Sequence, residues 1–541
     1  MAIEKIKIEN FKIFRNETVV LDKGINIFVG ENDSGKTTIL EALSIATTGK
    51  IDGFNVSRVM TTDFFNKEVK DAYTDEVQKG KTPSPPEITI EIYFIKDEKY
   101  ASMKGLENSD NDKEAYGIKF RVAFDPTYDK AYKEMLKNKE VSELPLEFYK
   151  TTYRDFGGNG VSFPLKLYKT ILIDTTKKDY GNVLSRFISN NIEEYLTEDA
   201  RTQLRLAYRS NRATFKDSEA VKLLNANIKE NTKFDNNDVA LDLRESLLDA
   251  WRNEMTLSVD SMPFENLGYG TQNTLKIDLV VQNDANKTDA IIMEEPENNL
   301  SFTNMTKIVG KISGSKDKQI FISTHSSFIT NKLGLKSVTL IRGGKLGSFV
   351  DLPEDTQRFF SKATGYDTLR FILAEKIILV EGPTDELIVQ KAYMNTYGKY
   401  PLEDGVDVFA VGSLSFLHFC EIANLLKKPI RILLDNDERT KPGNIANIKA
   451  TYEAFESNIV EVFFDSATKN YSIEPSVLSA NSNNFDDFKK VVYHGNDKET
   501  ADAERILQYM ENNKVEWAMR VFESNSSINY PEHIKAVIKF E

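Results

Sequence analysis

Hydrophobic and polar positions near the N-terminus follow two patterns that are typical of strands. Residues 3–8 alternate β-branched and charged side chains, and residues 25–29 form a short apolar run that ends at a glycine. Both patterns predict strands. After a glycine-containing turn, Ile39, Leu40 and Leu43 recur at the spacing of a buried helix face. The chain therefore begins with two strands followed by a helix.

The middle of the chain changes from strand patterns to helical patterns and back. Residues 88–95 follow a proline-containing loop and predict another strand. Residues 176–258 are polar with helical spacing and few strand signals, which predicts an inserted helical subdomain. Strand patterns return at residues 290–293 and 319–323.

A new alternation of strands and helices begins past residue 370. Strands are predicted at residues 376–380, 406–411 and 430–434, with helices beginning near Thr384 and Ser415. Alternation of this kind predicts a small parallel sheet with helices on both faces.

Composition limits the class of protein. A chain of 541 residues is too long for one hydrophobic core, so two or more domains are expected. The net charge of −13 argues against a protein that coats nucleic acid non-specifically, but not against a DNA enzyme. The single cysteine, Cys420, excludes an internal disulfide and a zinc site of several thiolates. The chain lacks a long apolar span and an apolar signal segment, so no membrane association and a cytoplasmic location are expected.

One group of basic residues lies at helical spacing within the predicted insertion. Its members are Arg201, Arg205, Arg209, Arg212 and Lys216. Side chains at this spacing share a helix face that could contact phosphates. A solvated, ion-paired surface is the alternative, and we favour it because charge runs usually face solvent.

The strongest motif is the sequence GENDSGKT at residues 30–37, which fits the phosphate-binding pattern G-x-x-x-x-G-K-[ST]. It lies between a predicted strand and a predicted helix, which disfavours a chance glycine-rich turn. Lys36 would reach the β- and γ-phosphates of a nucleotide, and the Thr37 hydroxyl would bind Mg²⁺. The predicted nucleotide contacts are Gly30, Asn32, Ser34, Gly35, Lys36, Thr37 and Thr38.

Two adjacent carboxylates end the predicted strand at 290–293. Neighbouring strand residues point to opposite faces, so Glu294 and Glu295 need not share a role. Glu294 suits the Mg²⁺ ion, and Glu295 suits polarisation of the attacking water. An acidic strand end alone is often only solvated, whereas in combination with the phosphate-binding loop it predicts an ATPase.

Two further segments follow the order expected of such an ATPase. The sequence NLGYGTQ at residues 266–272 opens a helix, and Gly268 and Gly270 would let its backbone approach a phosphate. The strand at 319–323 leads to His325, which suits a γ-phosphate sensor, although a lone histidine is usually an ordinary surface or core residue.

The order of these motifs resembles the ABC-type ATPases of the SMC and RecF kind. In those proteins an insertion separates the two halves of the ATPase, as Lys36 and Glu294 are separated here. The resemblance implies that the signature segment contacts ATP bound to another subunit, and therefore a dimer. Leu267 replaces the serine of the usual L-S-G-G-Q signature.

Acidic residues end two strands of the predicted C-terminal sheet. Glu381 follows the first strand with Asp385 in the next turn, and Asp435 and Asp437 follow the strand at 430–434. Parallel strands end at the same edge of a sheet, so the four carboxylates are expected to converge. Such a cluster favours Mg²⁺ or Mn²⁺, and two metals can hydrolyse a phosphodiester. The alternative is a set of exposed carboxylates that cap helices, and Asp385 could be only that.

This second pattern resembles the Toprim domain, and the position of Asp385 resembles the form found in the OLD family of nucleases. One cysteine cannot supply the zinc module of primases, and little chain follows Asp437 for the tyrosine domain of a topoisomerase. The resemblance makes Glu474 a candidate metal ligand and Lys514 a candidate for stabilising charge on the phosphate. For each, a solvated surface role is nearly as good an interpretation.

The expected fold class is α/β, with an N-terminal ABC-type P-loop ATPase and a C-terminal Rossmann-like Toprim domain. The predicted domains are two ATPase halves (1–175 and 259–370), a dimerising helical insertion (176–258) and the Toprim domain (371–541). The resemblance implies ATP, metal-dependent cleavage of DNA, a homodimer or higher assembly, and anti-phage defence with an operon-encoded helicase or retron in some relatives. The rival hypotheses are a RecF- or SMC-like repair ATPase whose Toprim domain binds but does not cut DNA, and a scaffolding ATPase.

Overall fold

The computed structural model describes the larger part of the chain. The described residues are 2–51, 53–137, 143–163, 165, 167–175, 196–234, 237–243, 251, 257–281, 288–315, 317–362, 367–412, 415–495 and 499–540. Within the predicted insertion, residues 176–195, 244–250 and 252–256 lie outside this set. The chain divides into two compact units, Met1–Asn26 with Gly35–Thr324, and Ile27–Ser34 with His325–Glu541.

An antiparallel sheet of five strands lies in the first unit. Its strand order is Phe14–Val20, Ile3–Phe11, Ile88–Phe94, Tyr116–Phe124 and Tyr149–Asp155. Every residue of Ile88–Phe94 is buried, including the polar Thr89 and Glu91. Alternate residues such as Ile6 and Ile8 fill the core side of Ile3–Phe11. The strands predicted at 3–8 and 88–95 are confirmed.

Three parallel strands in the same unit carry the acidic ATPase motif. Ala290–Glu294 pairs with Thr170–Asp174 on one side and with Gln319–Ser323 on the other. The register places Glu294 opposite both Asp174 and Ser323. The helix Lys36–Thr48 packs against strands of this group and of the antiparallel sheet, and most of its residues are buried. These contacts fix the helix that follows the phosphate-binding loop.

The α-helices of the first unit include two that cover part of the predicted insertion. Glu198–Lys216 and Glu219–Asn231 contain no buried residue, and helices account for most of the described part of the insertion. The remaining α-helices are Lys36–Thr48, Val56–Val59, Lys67–Gln78, Asp129–Lys137, Tyr269–Val281 and Phe302–Gly314. Short strand pairs are Lys50–Ile51 with Phe54–Asn55, Lys233–Phe234 with Asn237–Asp238, and Ser258–Val259 with Met262–Pro263.

The second unit contains the strand that precedes the phosphate-binding loop. Ile25–Gly30 pairs in parallel with Val338–Arg342, which pairs antiparallel with Lys345–Ser348. The helix Ser327–Leu333 precedes Val338–Arg342, and the helices Glu354–Lys362 and Thr368–Leu373 follow Lys345–Ser348.

A four-stranded parallel sheet forms the predicted C-terminal domain. Its order is Val406–Ala410, Lys376–Val380, Ile430–Leu433 and Val460–Phe463. Val380, Ile388, Val477 and Trp517 belong to one core that joins this sheet to its helices. The helices are Pro383–Tyr397, Phe416–Leu425, Asn444–Tyr452, Ile473–Ala480, Phe485–Val492, Ala503–Asn512, Lys514–Glu523 and Glu532–Val537. The predicted small parallel sheet is confirmed.

Lys428 connects this sheet to the segment before it. Its buried ammonium group donates to the carbonyl oxygens of Phe371 (2.9 Å) and Ile372 (2.8 Å), at the end of the helix Thr368–Leu373. Burial lowers the pKa of Lys428 to about 8. The predicted domain boundary at residue 371 falls within this helix, and the domain limits as a whole stay a prediction. No helix in the described part of the chain is both long enough and apolar enough to cross a bilayer.

Candidate functional site

Glycines shape the phosphate-binding loop. Gly35 has a φ of 112°, and a Cβ atom there would lie 2.8 Å from Ile13 Cγ2 and from Phe14 Cζ. Both the backbone conformation and the space therefore require glycine. Lys36 begins the helix and is buried. The Ser34 hydroxyl is buried and has no hydrogen-bond partner among the described residues. A buried polar group without a partner fits a site where a phosphate oxygen would bind.

Other predicted nucleotide contacts lie where the motif places them. A Cβ atom at Gly30 would lie 2.4 Å from the Ile341 carbonyl oxygen, so the loop begins at a close backbone approach. Asn32 is exposed and Thr38 is buried in the first turn of the helix. His325 is exposed just after the strand Gln319–Ser323, and its sensor role stays a prediction.

The predicted magnesium side of the nucleotide site is built by Thr37 and Glu294. The Thr37 hydroxyl donates a hydrogen bond to Glu294 Oε1. A small cavity of about 20 Å³ beside this pair is lined in part by Asp174 and Glu41. A cavity of this size has room for about one water molecule or ion.

Two residues that the sequence patterns did not predict, Asp174 and Thr175, lie beside the acidic pair. The Thr175 hydroxyl donates to the carbonyl oxygens of Glu294 (2.8 Å) and Glu295 (2.5 Å), which fixes the backbone of the acidic pair. The available signal was the apolar run 171–173 that ends at an aspartate, a shorter version of the pattern at 290–294.

Glu295 has a strained backbone. Its φ is 43°, in the left-handed region that costs a residue with a side chain about 1–3 kcal/mol. The Glu295 amide donates to Ser323 O (2.9 Å), and its Oε2 atom accepts from Asn298 Nδ2 (2.8 Å). These contacts hold the carboxylate in one direction, as positioning of an attacking water requires.

The signature helix Tyr269–Val281 begins where the sequence predicted it. A Cβ atom at Gly270 would lie 2.4 Å from Asn299 O, whereas one at Gly268 would meet nothing within 4 Å. Gln272 is buried and donates to Phe264 O (3.0 Å) and Leu267 O (2.9 Å). Gly270 therefore serves close packing of the helix, whereas the space around Gly268 is open, and its phosphate contact stays a prediction.

The different surroundings of Gly268 and Gly270 predict different stabilities for the two alanine variants. We expect Gly270→Ala to destabilise the protein by about 1–3 kcal/mol, because its methyl group would overlap a backbone oxygen. Gly268→Ala should change stability by less than about 0.5 kcal/mol. The first thermal unfolding transition of the full chain measures both variants, and equal midpoints for the two would contradict the packing role of Gly270.

In the second unit, Glu381 and Asp385 lie beside the end of the strand Lys376–Val380. Asp385 is buried in the first turn of the helix Pro383–Tyr397, and its Oδ2 atom accepts from the Gly382 amide (2.9 Å). Asp385 therefore caps the first turn of this helix, which was the alternative interpretation of this residue. Burial raises the pKa of Asp385 to about 7, with repulsion from Glu474 and Glu381 adding to the effect.

Asp435 follows the strand Ile430–Leu433 and shares this environment. Burial raises the pKa of its carboxyl group well above the usual range, and Asp385, Glu381 and Glu474 raise it further. Lys514 acts in the opposite direction. Glu381, Asp385, Asp435 and Glu474 are therefore neighbours that repel one another, and we call them the carboxylate cluster.

Glu474 and Lys514, the two C-terminal candidates, lie at this cluster, whereas Asp437 pairs with Lys441. Glu474 is buried and accepts from Ser472 Oγ (2.6 Å), while Lys514 Nζ lies 3.9 Å from Glu474 Oε1. Asp437 has a φ of 53°, and its Oδ2 atom lies 2.9 Å from Lys441 Nζ. The role of Asp437 as a ligand stays a prediction.

The chemistry of the cluster fits a hard divalent cation. Among the described residues, no three Asp, Glu, His or Cys side chains already form a group that could hold a metal ion. The four carboxylates nevertheless supply only oxygen donors, and at least two of them are buried against mutual repulsion. Such a set is stabilised by cations, and oxygen ligands suit Mg²⁺ or Mn²⁺.

The raised pKa values predict that stability depends on pH. The pKa of Asp385 is about 7 when folded and about 3.9 when unfolded, so its contribution is complete below about pH 4 and is lost as pH rises through 7. This loss amounts to at most about 4 kcal/mol. In EDTA, the melting temperature should fall from pH 5.5 to pH 8, and Mn²⁺ should restore it.

The same scans on Asp385→Asn provide the control, because that variant has no carboxyl group to ionise at this position. Its melting temperature should vary less with pH than that of the wild type. A wild-type melting temperature that is unchanged between the two pH values in EDTA, or unaffected by Mn²⁺ at pH 8, would contradict the prediction.

Two domain profiles match separate parts of the chain. An AAA domain profile matches residues 5–256. The profile described as "Overcoming lysogenization defect protein-like, TOPRIM domain" matches residues 372–437.

Relatives match over different shares of the chain. Endonuclease GajA of Bacillus cereus (strain VD045) is 22% identical over 488 residues, which cover 84% of this chain and 77% of GajA. The DNA replication and repair protein RecF of Clostridium tetani is 25% identical over 155 residues, 28% of this chain, and the chain spans only 40% of that relative's length.

Similar solved structures are those of ATPase heads. RecF bound to ATP has a TM-score of 0.33 at 10% identity and covers 64% of this chain and 97% of RecF. The SMC head bound to the winged-helix domain of ScpA has a TM-score of 0.34 at 15% identity and covers 64% and 98%. The two profiles show an AAA domain and an OLD-like TOPRIM domain in separate parts of the chain, and the similarity to Endonuclease GajA extends over both.

Proposed function

We propose that this protein is an ATP-binding and ATP-hydrolysing DNA endonuclease that nicks or cleaves DNA at the carboxylate cluster. The observation that carries the proposal is the convergence of Glu381, Asp385, Asp435 and Glu474, with raised pKa values for the two aspartates and Lys514 beside them. The similarity to Endonuclease GajA, which spans both halves of the chain, supports it.

The residues of the cluster have distinct tasks in this proposal. Glu381, Asp435 and Glu474 would hold divalent cations, with Asp385 and Asp437 as further ligands. Bound Mg²⁺ or Mn²⁺ supplies Lewis acidity for phosphodiester hydrolysis. Lys514 would offset the negative charge that develops on the phosphate.

The nucleotide site would regulate or clamp the DNA rather than cut it. Lys36 would neutralise the β- and γ-phosphates, and Thr37 with Glu294 would hold the magnesium of Mg-ATP. Glu295 would orient the attacking water and His325 would sense the γ-phosphate. Asp174, in register with Glu294, adds a carboxylate on the magnesium side.

The proposal includes a homodimer or higher assembly that acts on DNA in bacterial anti-phage defence, in the cytoplasm, with an operon-encoded helicase or retron as a possible partner class. Exposed apolar side chains on the surface helices of the insertion support self-association. Leu206, Phe215 and Leu223 are 59%, 60% and 67% exposed. In an assembly, burial of these side chains would add favourable apolar contact.

Incubation of supercoiled plasmid with Mg²⁺ or Mn²⁺, with and without ATP, tests the proposal. Wild type should produce nicked or linear DNA, and Glu381→Ala should not. Lys36→Ala should change the response to ATP while leaving the cluster intact. Absence of nicking by wild type in every condition would remove the main support for a nuclease.

The same assay separates the proposal from its rival. A RecF- or SMC-like repair ATPase whose Toprim domain only binds DNA would show no nicking, and Asp435→Ala would leave all of its DNA-processing activities unchanged. Equal nicking by Glu381→Ala and wild type would show that cleavage occurs without the cluster.

A further inference from the structure

Asn436, the middle residue of the motif at 435–437, is buried in the domain interior and is not a member of the carboxylate cluster. Asn436 is 1% exposed. Its Nδ2 atom donates to the carbonyl oxygens of Asp465 (2.8 Å), Ala467 (3.2 Å) and Asn470 (3.0 Å). One carboxamide therefore contacts most of the loop at 464–472.

The other polar atoms of Asn436 are used as well. Its Oδ1 atom accepts from the Glu438 amide (3.0 Å), and its main-chain oxygen accepts from Asn444 Nδ2 (3.0 Å). These contacts require a short side chain with an amide group that donates and a carbonyl group that accepts. Asparagine has both groups on one short side chain.

The loop that Asn436 binds leads directly to Glu474. Within the loop, Asp465 accepts from the Ala467 amide (2.9 Å) and from Asn470 Nδ2 (2.7 Å). Asp465 also accepts from Ser476 Oγ (3.2 Å), on the helix Ile473–Ala480. Glu474 lies in the first turn of that helix. Asn436 thus ties the strand end that carries Asp435 to the segment that carries Glu474.

A fixed connection between the segments that carry Asp435 and Glu474 affects how readily the cluster binds a cation. Asp435 and Glu474 come from different segments of the chain, and like charges repel where two such side chains are brought to one site. Without a fixed connection, this repulsion would move the two segments apart, and a cation would have to bring them together again. A connection made in advance lowers the cost of binding.

We propose that Asn436 is a positioning residue that sets the separation of Asp435 from Glu474 and thereby the affinity of the carboxylate cluster for divalent cations. This inference rests on the proposed function, because it requires that the cluster binds cations. It assigns Asn436 no contact with the cation or with DNA.

The chain offers a matched control in Asn481. Asn481 is 0% exposed and donates through Nδ2 to Val477 O and Asn529 O (both 2.8 Å), and its Oδ1 atom accepts from the Asn529 amide (2.9 Å). It lies just past the other end of the helix that carries Glu474. Alanine at either position removes a buried carboxamide that joins two segments, but only Asn436 adjoins the cluster.

The test measures binding of Mn²⁺ to the full chain without nucleotide, by electron paramagnetic resonance of the free ion. The site is identified as the binding that Asp435→Ala removes. Asn436→Ala should weaken it by about tenfold or more, the range expected for partners that orient metal ligands. Asn481→Ala should stay within about twofold of wild type. Nicking by Asn436→Ala should recover as Mn²⁺ is raised.

The inference would be overturned if Asn436→Ala bound Mn²⁺ as tightly as wild type, or if Asn436→Ala and Asn481→Ala lost the same affinity.

If Asn436→Ala does not fold, Asn436→Ser replaces it, because serine keeps one donor and should give intermediate Mn²⁺ affinity. Wild-type affinity of Asn436→Ser would also overturn the inference. Wild-type protein that shows no binding dependent on Asp435 would refute the proposed function and this inference together, whereas the preceding outcomes refute the inference alone.

Discussion

Replacement of Asp435 by asparagine is expected to lower metal-dependent DNA nicking by about a hundred- to a thousandfold and to leave ATP hydrolysis unchanged. Asparagine has the size of aspartate but lacks the charge, so the cluster keeps its shape and loses one anionic donor. The nucleotide motifs lie on other strands and share no hydrogen bond with Asp435 among those described. Plasmid nicking and phosphate release, measured on one preparation, check both parts.

The same variant should be more stable than wild type in EDTA. Asp435 is opposed by Asp385, Glu381 and Glu474, so removal of its charge relieves a repulsion that no cation offsets under these conditions. Asp486→Asn is the control, because the Asp486 side chain is 84% exposed and its neutralisation should change neither nicking nor stability. A lower melting temperature of Asp435→Asn in EDTA, or retained nicking, would contradict the existence of the cluster.

Glu295→Gln should lower ATP hydrolysis by about a hundred- to a thousandfold while ATP still binds. The backbone of Glu295 is held at a φ of 43° by Thr175 and Ser323, and glutamine preserves these main-chain contacts. The amide can still bind Asn298, but it cannot act as a base toward water. Binding of a fluorescent ATP analogue and phosphate release measure the two properties separately.

The neighbouring Glu294→Gln is the matched comparison. Glu294 accepts a hydrogen bond from Thr37, so its neutralisation should weaken binding of Mg-ATP instead of sparing it. Different effects are expected because the backbone turns at Glu295, where φ is 43°. Identical effects of the two substitutions on binding, or wild-type hydrolysis by Glu295→Gln, would contradict this division of roles.

Much of the fold could be predicted because strand ends and helix starts leave local signals. The apolar runs at 25–29, 290–293 and 376–380 each became a buried strand that ends at a motif. The alternation past residue 370 predicted the small parallel sheet. These patterns reflect burial within a single element, which sequence records directly.

The remaining features depend on contacts between segments that are distant in sequence. Asp174 reaches the ATPase motif only through the register of two parallel strands, and Asn436 reaches the loop at 464–472 only through the order of the sheet. The direction of the Asp437 carboxylate also depends on more than spacing, because the strand ends at Leu433 and the backbone turns to a φ of 53° at Asp437. Its role as a ligand stays a prediction. Glu474, from the far segment, takes part in the cluster.

The central claim is that DNA is cut at the carboxylate cluster and that ATP is hydrolysed elsewhere. One measurement tests it most directly: nicking of supercoiled plasmid in Mn²⁺, alongside ATP hydrolysis, by wild type, Asp435→Asn and Glu295→Gln. We predict that Asp435→Asn loses nicking and keeps hydrolysis, and that Glu295→Gln loses hydrolysis and keeps a cluster that binds Mn²⁺. Wild-type nicking by a folded Asp435→Asn protein would contradict the claim.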